Sequence, residues 1–148
     1  MSGSLLLPRV LDGLSLDAQV TQVFVAAPFL EGKISQHCEL GDCTPAQGLL
    51  EVLRFLSLVS VEQVLTPSVR VDLVWHQFIL STRVYSDYCT KLYKKYLHHT
   101  PSDDKVENHQ QFEHCLNLYT QRYGAPPVWF WGKHLVANTT GGCSGCEA

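Results

Sequence analysis

The stretch 66–101, TPSVRVDLVWHQFILSTRVYSDYCTKLYKKYLHHTP, carries the longest helical pattern in the chain. At helical spacing Arg70, Gln77 and Ser81 share one narrow stripe, while Val69, Val71, Leu73, Val74, Trp75 and Phe78 with Ile79 and Leu80 cover the rest of the circumference. A helix that is apolar nearly all round is a buried helix, so the pattern predicts a central buried helix near 68–96. Two polar residues interrupt the apolar surface. Asp72 and His76 stand four positions apart and therefore share a face, which predicts a carboxylate–imidazole pair in an apolar site. Further along, Tyr85, Tyr88, Cys89, Leu92 and Tyr96 fall on one side and Asp87, Lys91, Lys94 and Lys95 on the other. The tyrosines should face inward, with His98 and His99 closing the helix against its negative end.

Outward from this stretch the chain reads as further helices. Before Leu14 it is an irregular arm broken by Pro8 and Gly13. Ser15 can cap a helix bearing Leu16, Val20, Val23, Phe24 and Ala27, which Pro28 interrupts, with a short resumption through Phe29, Leu30 and Ile34. Thr44-Pro45 is a strong helix start, because the hydroxyl caps and proline takes the position where its missing donor does not matter. That helix should run to about Ser60 with Gln47, Glu51, Arg54 and Ser57 as its polar stripe. Thr66-Pro67 offers the same start to the central helix. A last helix over about 106–123 presents Phe112, Cys115, Leu116, Tyr119 and Tyr123 inward and stops at Gly124. Pro126-Pro127 then forces extended chain, laying Val128, Trp129, Phe130 and Trp131 across the bundle as an aromatic strap. The expected fold is all-α: an irregular bundle of four or five helices in one domain over 1–137, followed by a Gly/Cys-rich tail over 138–148 with nothing to bury.

Several of these residues also carry a resemblance. The run Val71-Asp72-Leu73-Val74-Trp75-His76, then Tyr85, Cys89 and His98-His99 before Pro101, resembles the signature of the glycine-rich-domain-containing-protein-like family. Leu118-Tyr119, Arg122-Tyr123-Gly124-Ala125-Pro126-Pro127 and Trp129 resemble that family's closing motif, so the likeness covers roughly 43–131. The chain departs from the pattern where an aromatic-Gly pair usually follows the cysteine. It has Leu92-Tyr93-Lys94-Lys95 there, and continuing helix is expected in place of a turn. The resemblance implies a helical domain and no particular reaction.

Length and charge narrow the function classes. A chain of 148 residues can bury about 68–70% of its unfolded surface as a single domain. The net charge is −3 and the one local basic cluster is Lys91, Lys94 and Lys95, which argues against nucleic acid as a direct main partner, since phosphate binding needs an extended basic face. No apolar run is long enough for a signal peptide or a membrane span. The six cysteines are scattered rather than framed, as in a reducing compartment, and an intracellular, soluble protein is expected.

Three constellations could carry chemistry. Cys143 and Cys146 have the C-x2-C spacing of half a zinc knuckle, and Cys38 with Cys43 could supply the other half of a four-thiolate zinc site. A metal held by His76, Cys89, His98 and His99 would need a sharp break near Ser81-Thr82 or after Tyr96. In one continuous helix His76 and His98 would stand about 33 Å apart, at roughly 1.5 Å per residue. Trp129, Phe130 and Trp131 could form a binding hot spot or cover the domain's own core. The function expected is a non-enzymatic protein-interaction module, a small subunit or adaptor docked in a larger assembly. The alternatives are a zinc-binding helical domain and, behind it, an enzyme using the region of Asp72, His76 and Cys89.

Overall fold

The computed structural model describes residues 7–8, 10–61 and 63–143. Seven helices and one two-stranded sheet form among them: α1 (Leu16–Ala26), α2 (Leu30–His37), α3 (Pro45–Val59), α4 (Val69–Leu80), α5 (Thr82–Tyr93), β1 (Leu97–Pro101), α6 (Lys105–Tyr123), α7 (Val128–Trp131) and β2 (Thr139–Cys143). The chain is mostly helical, as expected, but a small sheet is added to the helices. No helix among the described residues is long and apolar enough to cross a membrane.

The helix at the centre is α3, not the 68–96 segment. Thr44 and Gln47 form a reciprocal capping box at its start, with Pro45 in the first turn, satisfying two otherwise orphaned backbone donors. Nearly its whole circumference is buried, from Leu49 and Val52 to Phe55, Leu58 and Val59. It packs against α1, α2, α4, α6 and β2.

The expected single helix over 68–96 is instead two. Ser68 caps α4 by accepting from the Val71 amide at 3.0 Å, a role expected of Thr66. The helix stops at Ser81, whose ψ of 66° is non-helical and which flanks both α4 and α5. Ser81 and Thr82 are residues whose hydroxyls compete for backbone partners, so this is the weakest point of the helical pattern. The break folds α5 back onto α4 and sets Phe78 edge-on to Tyr85, centroids 5.0 Å apart. Because the helix turns there, its two ends need not be buried: Val69 is 38% and Leu80 60% exposed.

At the end of α5 a turn is kept where continuing helix was expected. Lys94 takes the left-handed conformation with φ 61°, alone among the described non-glycine residues. Glycine usually fills that position after a helix because it has no Cβ to clash. The chain then runs as β1, pairing antiparallel with β2 so that Leu97 faces Cys143 and His99 faces Gly141. Gly141 also bridges Leu65, with amide–carbonyl bonds of 3.1 and 2.8 Å in the two directions. A Cβ at Gly141 would lie 2.9 Å from the Trp75 ring and 3.2 Å from Val59. Within the segment expected to have nothing to bury, 139–143 are therefore a strand laid on the core, with glycine where no side chain fits.

The aromatic segment is also more ordered than extended chain: 128–131 form one helical turn, α7, after Pro127. Its Phe130 and Trp131 are buried.

Candidate functional site

Asp72, Trp75, Tyr85, Cys89 and His99 come together where α4, α5 and the β1–β2 ribbon meet. The Trp75 indole donates to the Tyr85 hydroxyl at 3.1 Å, and Tyr85 donates in turn to the Leu97 carbonyl at 2.5 Å. All three residues are fully buried, where an indole N–H or a phenol needs a partner. Cys89 completes this floor, its thiol pushed up by burial against the lowering contacts of the Leu97 backbone and Tyr85. Burial likewise raises the Tyr85 hydroxyl far above its ordinary range. Protonated and mutually satisfied, these groups tie β1 to the helices.

At the margin of the same cluster Asp72 is bound differently from the expected pairing. Its Oδ1 accepts from Thr139 Oγ1 at 2.9 Å and meets His99 Nε2 at 2.8 Å. One carboxylate oxygen thus holds both strands. The carboxylate and the imidazole are about one-fifth exposed, at 21% and 19%. His99 also lies edge-on to Trp75, centroids 4.6 Å apart. His76 is exposed and 6.0 Å from His99, so the i, i+4 rule gave Asp72 the wrong histidine. A partner from a strand could not be seen while 97–101 was read as helix end. His98, on the opposite side of the strand, lies beside Tyr96 at 4.9 Å.

The break at Ser81 brings His76 within 6.0 Å of His99, yet no group of three or more His, Cys, Asp or Glu residues among the described residues could hold a metal ion. Cys38 and Cys43 lie in the loop after α2, where burial pushes the Cys38 thiol up to about 11. Cys143 ends β2 opposite Leu97. Cys146 lies outside the described residues.

A second polar centre was hidden in the supposed polar stripe of α3. Glu51 is only 3% exposed and Ser57 8%, because α6 and α7 cover them. Glu51 Oε1 accepts from the Tyr119 hydroxyl at 2.6 Å and the Trp131 indole at 2.9 Å, while Oε2 meets Arg54 at 3.3 Å. Arg54 also donates to the Tyr119 hydroxyl at 2.8 Å. Ser57 donates to the Arg54 carbonyl, so the 2.6 Å contact with Tyr123 has the tyrosine as donor. The sequence signal was present on the other helix: two tyrosines on an apolar face need buried acceptors.

Of the three strap residues, Phe130 and Trp131 are core and so cannot be surface contacts. Trp129 is 37% exposed but pinned. Arg70 stacks on its ring at 3.6 Å and donates to its carbonyl, and its indole donates to the Glu39 carbonyl at 3.1 Å. Gly41, at φ 58°, lies under the ring, where a Cβ would come within 2.9 Å.

Large apolar side chains do reach solvent at two grooves. One, of about 450 Å³, runs between α2 and the end of α4 and is rimmed by Phe29, 83% exposed, and Leu80. The other, of about 420 Å³, lies between α6 and α7 beside Leu116, Pro126 and Val128.

Neither the curated proteins nor the solved structures contain a match to the chain. A family model does match, over residues 19–122, from within α1 through nearly all of α6, and it includes the ribbon strand β1. The chain belongs to the UCP032817-like family.

Proposed function

We propose that the protein is a non-enzymatic interaction module, a small subunit or adaptor that docks onto a larger protein assembly. The observation that carries this reading is the contrast between its polar and its apolar side chains. Asp72, Glu51, Tyr85 and Tyr119 spend their hydrogen bonds on other side chains of the same molecule and on the backbone. Phe29 and Leu80, by contrast, stand in solvent beside a groove, and exposed apolar surface around a concavity is what partner proteins bury. The likeness of the signature to glycine-rich-domain-containing proteins belongs to the same proposal, since those chains carry the helical domain beside other parts.

The test is the hydrodynamic size of the tagged full chain in native extract. The expected result is co-migration with a defined set of proteins in a complex that survives dilution and reappears when the purified chain is added back. Migration at the size of the free chain, at physiological salt and native abundance, overturns the proposal. Metal analysis of the same preparation gives the zinc reading its own outcome, about one equivalent of zinc per chain.

A further inference from the structure

The groove between α2 and α4 has two unlike walls. On the α2 side Lys33 and His37 stand one helical turn apart, both exposed. Neither side chain has an ion-pair or hydrogen-bond partner among the described residues. On the α4 side are Gln77, Leu80 and Ser81, and the α1–α2 turn closes one end with Pro28 and Phe29. The floor is apolar, built on Leu30 at 2% exposure. Glu31 is the only acidic residue of α2 and does not line the groove. In a chain of net charge −3 this gives a trough with an apolar base and one basic edge.

We propose that this groove docks an amphipathic helical segment of a partner protein that presents two apolar anchors, three or four positions apart, beside an Asp or Glu. The inference rests on the interaction reading above and names its surface and its partner's chemistry. Two packed helices offer a third helix a ready seat, with i and i+3 or i+4 side chains entering the groove between them. Phe29 and Leu80 at the rim would cover the anchors. Lys33 and His37, one turn apart, match acidic side chains at the same spacing on the incoming helix, and Gln77 supplies a neutral hydrogen-bonding edge opposite. Charge complementarity selects an acidic segment over a basic one and over a lipid surface, which would ask for a broader basic face.

The test is selection from a displayed library of random peptides of about 15 residues, long enough for a helix to form on binding. The bait is the full chain, with depletion on the double variant Phe29→Ser/Leu80→Ser. Both side chains are largely exposed, so that variant should melt with the wild type. The expected yield is sequences with paired apolar residues and Asp or Glu. Synthesised singly, they should lose at least tenfold in affinity for the depleting variant and for Lys33→Glu/His37→Glu, and weaken as salt rises. Charge reversal should also turn the selection towards basic peptides. The proposal is overturned if no peptide is enriched, if enriched peptides bind the depleting variant equally, or if they lack the acidic preference. It is overturned in favour of self-association if the wild type sediments as a dimer and Phe29→Ser/Leu80→Ser as a monomer. A native complex that persists with the double variant would dismiss this groove and leave the interaction module standing, whereas absence of any complex would remove both.

Discussion

The protein contains two clusters made of the same chemical parts and put to different use. Each has a carboxylate, a tryptophan indole and a tyrosine hydroxyl. Around Glu51 they form one closed network between three helices, with the carboxylate side chain 4% exposed. Around Trp75 they are divided: indole and hydroxyl are buried and consume a backbone carbonyl, while Asp72 sits at the edge and holds the ribbon. The difference teaches that a buried carboxylate serves as a hub, whose loss strands every donor around it, and a marginal one as a latch that water can partly replace.

The largest effect should come from the hub. Glu51→Ala leaves the Tyr119 hydroxyl, the Trp131 indole and Arg54 without their common acceptor, and should destabilise by about 3–5 kcal/mol in denaturant melts. Glu51→Gln keeps an acceptor and should lose less. A loss below that of Asp72→Ala would reverse the ranking of the two clusters.

Next is the close approach that the ribbon requires. Gly141→Ala drives a methyl to 2.9 Å from Trp75 and should cost about 1–3 kcal/mol, since overpacking forces neighbours off their rotamers. An unchanged midpoint would mean that β2 does not lie against that ring.

The latch comes third. Asp72→Ala removes the shared acceptor of His99 and Thr139 and should cost about 1 kcal/mol, the usual net worth of a partly solvated hydrogen bond. His76→Ala should cost less than half of that, which separates the observed His99 pairing from an intrahelical one. In a double-mutant cycle Asp72 should couple to His99 and not to His76.

The smallest change should stabilise. Lys94→Gly relieves the left-handed conformation after α5 and should raise stability by about 0.5–1 kcal/mol, because glycine adopts that geometry without a Cβ penalty. Lowered stability would show that the lysine stem contributes packing that outweighs the strain.

What could be read beforehand divides along the same line as local and distant contact. The cap at Thr44-Pro45 and the stop at Gly124 are written in neighbouring residues, and both stand where expected. Helicity over 69–93 was also legible, but a break near Ser81-Thr82 stood only as a condition of the histidine–cysteine metal site and was not expected, because no glycine or proline marks a stop there. Missing that break carried the next errors with it. If 97–99 end a helix, His99 cannot be an edge strand residue, and Asp72 is left with His76. The Thr-Thr-Gly-Gly run of β2 has no hydrophobic alternation, so only the space around Trp75, Val59 and Phe55 explains why it is there. Glu51 and Ser57 looked like solvent stripe because their partners lie on α6, more than sixty residues away.

The ribbon also fixes the order in which the molecule can be finished during synthesis. β1 leaves the ribosome well before β2, with the whole of α6 and α7 between them. Until Gly141 arrives, Leu65 lacks its bridge, the Trp75–Val59–Phe55 surface is uncovered and β1 has a bare edge. A chain that ends before Thr139 therefore displays a strand edge beside an aromatic patch, the combination that chaperones bind and that seeds aggregation. Long-range closure of this kind slows folding, and a chain truncated just before Thr139 should bind hydrophobic dye where the chain that includes β2 does not.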